Sequence, residues 1–183
     1  MTTGGTECVC ETGVPVLAER INWYAIQTYP QNEKKVVAEL QLKGIPTFLP
    51  LKMERHQWSD RRKLIEVPVF PCYAFVQGVA SAAFRQAVAR TPRMIRLLGT
   101  NEPVPVPDAE IDSLRILVSS NATFSPCAFL KAGQRIRIRG GCMDGLEGVF
   151  VSRDGEDKLV VSVSLIQRSL TLNLRGYDIE PVH

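Results

Sequence analysis

Histidine is almost missing from this chain: His56 and His183 are the only two. That scarcity removes the commonest general base and metal ligand. No G-x-S-x-G, phosphate-binding glycine loop, dinucleotide fingerprint or H-E-x-x-H supplies chemistry by another route. The carboxylates of Glu110 and Asp112 lie two residues apart on an expected helix and so point to different faces. No catalytic residue, metal site or cofactor is expected, and a binding protein is favoured over an enzyme. No apolar run approaches the ~18 residues of a membrane span, and the first twenty residues lack the basic start and apolar core of a signal peptide. A cytoplasmic, monomeric protein without membrane contact is the expectation. Charge of one sign is scarce as well: the net charge is +3, too small to imply nucleic-acid binding by itself. The five cysteines, Cys8, Cys10, Cys72, Cys127 and Cys142, are odd in number and scattered. A lone Cys8-x-Cys10 lacks the second ligand pair of a zinc site, so all five read as free thiols in a reducing compartment.

With 45% hydrophobic and 22% charged residues among 183, the chain has the composition of one or two folded domains. Residues 1–20 show no sustained period and read as a disordered leader. Trp23, Tyr24, Ala25 and Ile26 form a short strand, and Val36, Val37 and Leu40 fall at helical spacing before Gly44 ends the helix. A second strand is expected over residues 45–52, a charged hairpin over 53–63, and one long strand over 64–76. Residues 81–89 have helical composition and stop at Thr91-Pro92, and a short strand is expected at 95–98. Pro103, Pro105 and Pro107 forbid regular ladder pairing; Asp108 then offers an N-cap for a helix through Leu117. Residues 119–132 (SSNATFSPCAFLKA) are polar and aperiodic, and read as a linker. Beyond them Ile136 and Ile138 alternate with Arg135, Arg137 and Arg139, the period of a strand with one buried and one wet, basic face. Leu159, Val161, Val163 and Leu165 alternate in turn, as do Leu170, Leu172 and Leu174. The fold class is therefore α+β: an antiparallel N-terminal sheet flanked by helices, followed by a small all-β C-terminal barrel.

Several strings, in this order and spacing, resemble the NusG/RfaH family of transcription elongation and antitermination factors. WYAIQT (23–28) is similar to the family's opening strand, VFPCYAFV (69–76) to its F-P-G-Y-x-F-V signature, RTPRMIRLLG (90–99) to the segment after its second helix, and PVPDAEI (105–111) to the entry to its last helix. GQRIRIRGGCMDGLEGVF (133–150) resembles a KOW motif. The resemblance implies an NGN domain, a relative of the ferredoxin-like fold, over 21–118, a linker over 119–132, and an SH3-like KOW domain over 133–183. The chain departs from the family at Cys72 and Arg93, where glycine is usual, and at Cys142, where proline is frequent. Such departures suit a specialised paralogue, with the general factor, coupled to Rho and the ribosome, its close competitor.

For function, the resemblance implies docking on the β′ clamp helices of RNA polymerase and bridging to the β subunit, with suppression of pausing or termination. Phe70, Tyr73 and Phe75 match the polymerase-facing aromatics, on the expectation that they stand on an open apolar face; strand aromatics otherwise pack under helices. Phe84, Arg85 and Gln86 match the positions that meet the β-subunit gate loop. Arg61, Arg62 and Lys63, part of a basic run with Lys52, Arg55, His56 and Trp58, match a hairpin near upstream or non-template DNA; a charge run is otherwise a solvated hairpin. Leu165, Ile166 and Arg168 match the KOW segment that meets the ribosomal protein NusE or the termination factor Rho, although Ile166 suits a core position equally. Arg135, Arg137 and Arg139 suit either RNA or solubility. The glycines and β-branched runs favour a β barrel over helical refolding of this module. A KOW-containing RNA-binding protein is the remaining alternative, and it predicts more positive charge than +3.

Overall fold

The computed structural model describes residues 20–57, 62–99, 102–120, 122–127, 133–153 and 156–182. In the first half, β1 (Asn22–Thr28) is followed by α1 (Glu33–Leu42), β2 (Thr47–Phe48), β3 (Leu51–Gln57), β4 (Arg62–Pro68), β5 (Tyr73–Gly78), α2 (Ala82–Ala89), β6 (Met94–Leu97), β7 (Pro105–Val106) and α3 (Asp108–Ser119). The sheet runs β2-β5-β1-β6, with β7 added to β1, and its β5-β1 pairing sets Phe75 opposite Ala25 and Ala74 opposite Ile26. Both faces are covered. Tyr24, Ile26, Ala74 and Val76 pack with Val36 and Leu40 of α1 and Val88 of α2, whereas Trp23, Ala25 and Phe75 share a core with Ile111, Leu114 and Leu117 of α3. The period-two alternation of β1 and β5 thus feeds two different helix layers.

The strand expected over 64–76 is two strands. β4 pairs with β3 in a separate two-stranded ribbon, and the chain bends at residues 69–72 before β5 begins. The bend is a β-turn: Tyr73 N–H donates to the Phe70 carbonyl at 3.2 Å, with Pro71 in the second position and Cys72 at φ 69° in the third. Proline there excludes the mirror-image turn, so the turn is type II. The same geometry occurs at Tyr29-Pro30-Gln31-Asn32 (N–H to carbonyl 3.2 Å, Gln31 φ 60°) and at Thr91-Pro92-Arg93-Met94 (3.4 Å, Arg93 φ 64°). Type II turns favour glycine in the third position; all three here hold a side chain instead. Two of them grip the end of β1, since Thr28 N–H donates to the Cys72 carbonyl at 2.9 Å and Tyr29 N–H to that of Arg93 at 3.0 Å.

Asp108 is the first residue of α3 rather than its cap; Pro107 holds the cap position and its carbonyl accepts from Glu110 N–H at 3.0 Å. An aspartate inside the first turn still favours the helix through its macrodipole. The expected 45–52 strand is likewise divided, into β2 and the start of β3, around Leu49-Pro50.

The second half comprises β8 (Phe124–Cys127), β9 (Gln134–Arg139), a 3-10 turn (Gly141–Met143), β10 (Glu147–Arg153), β11 (Glu156–Val163), β12 (Arg168–Asn173) and β13 (Asp178–Pro181). They form one antiparallel sheet in the order β13-β9-β10-β11-β12-β8. The segment read as a linker therefore contains a sheet strand: Phe124 pairs with Leu172 and Cys127 with Ser169. Pro126 hid it, yet proline is compatible with an edge strand, where no ladder donor is required of it. Ile136, Ile138, Leu159, Val161, Leu170 and Leu172 are buried, as their alternation implied.

Gly at residue 72 adopts the observed φ without strain. Replacing Cys72 by glycine is expected to raise unfolding stability by about 0.5–1 kcal/mol, the left-handed penalty less the backbone entropy of glycine, measured by thermal or urea melts.

Candidate protein-binding face

The aromatics singled out in the sequence converge on one face of the first sheet, but they are not open to solvent. Phe75 is 0% and Phe70 3% exposed, and Tyr73 is half-buried at the edge of the same core. The exposed aromatic face is thus corrected to a covered one. Its cover has two layers, because the core beneath α3 continues without interruption into Ile136, Leu159, Val161 and Leu170 of the second sheet. α3 packs against β1 and also against β10, β11 and the 3-10 turn.

Polar contacts fasten this arrangement. Glu110 of α3 accepts from Ser164 twice, from its hydroxyl at 2.8 Å and its backbone N–H at 3.1 Å. The Cys142 thiol lies 3.9 Å from the Ser120 carbonyl. A groove of about 710 Å³ remains beside α3, lined by Glu110, Ser113, Arg135, Glu147, Val160 and Ser162 among others. At the other end of α3 the Arg115 guanidinium lies over Trp23 (5.0 Å) and Phe48 (5.5 Å), while Asp112 accepts one of its N–H groups at 3.1 Å. Phe48 in turn stacks on Phe75 with ring centroids 6.1 Å apart. Arg115 thereby caps an aromatic row through cation–π attraction.

The remaining positions separate. Phe84 is a packing residue: it contacts Tyr24 at 5.8 Å between centroids, and its ring fills the space where Gly78 lacks a side chain. Arg85 and Gln86 on α2 are exposed. Arg62 and Lys63 begin β4, their backbones opposite Gln57 and His56, but their side chains lie outside the described residues. Arg61 and Trp58 lie outside them altogether, as do Cys8 and Cys10. In the 164–167 turn Leu165 is half-buried and Ile166 is 6% exposed, so Ile166 is a core residue here, whereas Arg168 is exposed. The arginine face of β9 is wet but not free. Arg137 pairs with Glu147, and Arg139 donates to Glu180 at 2.6 Å. The hydrogen bond from Arg139 holds the Glu180 carboxyl below the usual glutamate range. Among the described residues no cluster of three metal-binding side chains occurs and no helix is long and apolar enough to cross a membrane.

Three contacts had no signature in the sequence: Glu33 to Cys72, Glu110 to Ser164, and Arg115 over its aromatics.

Antiparallel sheets that share the helix α3 define a mixed α/β architecture. Residues 21–115 match the family described as "Transcription termination factor nusG". That match spans more than half of the chain, which therefore belongs to the NusG family. Among its relatives, the transcription termination/antitermination protein NusG of Borreliella burgdorferi is 25% identical over 180 residues, covering 87% of this chain and 98% of the relative. That of Lactococcus lactis subsp. lactis is 26% identical over 172 residues, covering 87% and 92%. The structure described as "Domain interaction in Thermotoga maritima NusG" shares the fold at a TM-score of 0.53 and 19% identity, over 90% of this chain and 98% of that one. The chain is a NusG-type transcription termination/antitermination factor, and such factors are not known as enzymes.

Because the folded Glu180 value lies below its unfolded one, the Arg139 pair stabilises β13 fully above the ordinary glutamate range and loses this effect as pH falls through the folded value. The protection factors of the Arg137 and Glu180 amides, which face each other across the β9–β13 pairing, are expected to fall on acidification in the native protein. The additional acid sensitivity should vanish in Glu180→Gln.

Proposed function

We propose that this factor binds RNA polymerase at the β′ clamp helices through the aromatic face beneath and beside α3, bridges toward the β subunit, and suppresses pausing or termination. The observation that carries this reading is the aromatic row Trp23-Phe48-Phe75 with half-buried Tyr73 at its rim, on the sheet face where the family signature falls. A helical tip requires an apolar surface to bury. In the arrangement described, that surface is shared with the second sheet, so engagement requires the second sheet to leave α3. The Glu110–Ser164 clasp adds on the order of 1 kcal/mol per hydrogen bond to the shared apolar core that holds the second sheet there. Arg85 and Gln86 remain open for the β subunit. The 62–63 end of the β3–β4 ribbon is assigned to upstream or non-template DNA. We read the second sheet as a KOW barrel whose 164–168 segment, with Leu165, Ile166 and Arg168, meets NusE or Rho; Ile166 would have to emerge from the core to take part directly.

Side chains at the left-handed positions Cys72 and Arg93 favour a specialised paralogue that acts on particular operons, because they forgo the glycines usual in the family. The general factor, coupled to Rho and the ribosome, accommodates the relatives equally well. Depletion of the protein followed by transcript profiling separates the two: readthrough changes confined to a few long operons support the specialised factor, and genome-wide changes overturn it.

Binding to core RNA polymerase is expected to weaken at least roughly tenfold in Tyr73→Ala and to strengthen in Glu110→Ala, which releases the clasp. Polymerase binding unchanged in both variants overturns the proposal. Phe75→Ala is a poor probe of binding, because removing a fully buried phenylalanine destabilises the fold by about 3–5 kcal/mol.

A further inference from the structure

Proline at position 71 admits type I and type II turns alike, and the two differ by a flip of the peptide between Pro71 and Cys72. In a type I turn the third residue has a negative φ, which suits cysteine; in a type II turn it is left-handed, which suits glycine. Cys72 has φ 69°, against its own preference. Something outside the turn must hold the peptide. The Cys72 N–H donates to Glu33 Oε1 at 2.7 Å across 39 residues of sequence. A flip of the peptide would turn this N–H away from its acceptor.

Glu33 is unusual for a glutamate in being only 4% exposed. It is the first residue of α1, where the helix dipole favours a carboxylate, and α1 is fixed to the sheet by Val36 and Leu40. The acceptor therefore cannot follow the turn. Among the described residues no lysine or arginine is paired with Glu33, so its carboxylate is not committed elsewhere.

We propose that Glu33 is a positioning residue: its buried carboxylate selects the type II form of the 70–73 turn, and thereby aims Tyr73 at the polymerase. In a turn with glycine at the third position this selection needs no outside partner. The inference rests on the reading of Tyr73 as polymerase-facing.

The test is a cycle of full-length proteins titrated against core RNA polymerase, with thermal melts and the nuclear Overhauser effect between Pro71 Hα and the residue 72 amide proton, strong in a type II turn and weak in type I, measured alongside. Glu33→Met keeps the length and apolar surroundings but removes the acceptor; it is expected to weaken binding about tenfold. Glu33→Gln keeps a carbonyl oxygen and should restore most of the affinity. Cys72→Gly should bind as the native protein does, and the double variant Glu33→Met/Cys72→Gly should bind like Cys72→Gly, because glycine takes the left-handed conformation unaided. A Glu33 that only stabilises the fold would lower the melting temperature without weakening the folded protein's binding. Native affinity in Glu33→Met, or a double variant as weak as the single one, overturns the proposal. Should Glu33→Met not fold, the glycine background decides, and weakened binding there overturns it. If the native protein itself does not bind polymerase, the functional reading fails; a strong Pro71 Hα to residue 72 HN contact that is lost in Glu33→Met and regained in the double variant still supports the role of Glu33, and an unaltered contact overturns it.

Discussion

The architecture turns on one helix serving two cores. α3 buries Ile111, Leu114 and Leu117 completely, each worth about 1.5–3 kcal/mol on transfer from water, and the core they belong to extends into both sheets. The face of the first sheet that carries Trp23, Ala25 and Phe75 has no other helix to cover it, because α1 and α2 occupy the opposite face. The inner residues of the second sheet meet the same helix. With both sheets on α3, Phe75 and Phe70 lie in the interior and Tyr73 sits at its rim.

Alternation and helical spacing made most of the elements legible. Trp23 to Ile26 as a strand, Val36 to Leu40 as a helix, and the Ile136, Leu159 and Leu170 series as sheet strands all follow from local periods of two and 3.6. The family strings supplied what no period can, namely that VFPCYAFV matters beyond its hydrophobicity. Elements were lost where backbone chemistry overrode the pattern: Pro71 and the left-handed Cys72 cut an apolar run in two, and Pro126 disguised an edge strand as a linker. The candidate site was legible in its residues but not in its exposure. Phe70 and Phe75 are buried in a core that includes Ile111, Leu114 and Leu117 of α3, distant in the chain, and local composition carries no trace of it. Arg115, Glu110 and Glu33 escaped notice for the same reason, since each acts on a residue distant in the chain.

Charge on the second sheet is arranged to cancel rather than to attract. Arg135 and Arg137 share Glu147, and Arg137 and Arg139 share Glu180. A strand whose sequence suggests a phosphate-binding stripe thus presents a ladder of opposed charges. Exposed pairs of this kind contribute little individually, but the row ties β13 and β10 to the two sides of β9, and it reduces the basic field that would draw nucleic acid to this module.

Both outer strands of the second sheet carry a proline, Pro126 in β8 and Pro181 in β13. Each edge would otherwise present a row of unsatisfied backbone donors and acceptors, the template on which chains assemble into larger aggregates. Proline interrupts that row. Edges built this way do not recruit neighbouring copies into a growing fibre.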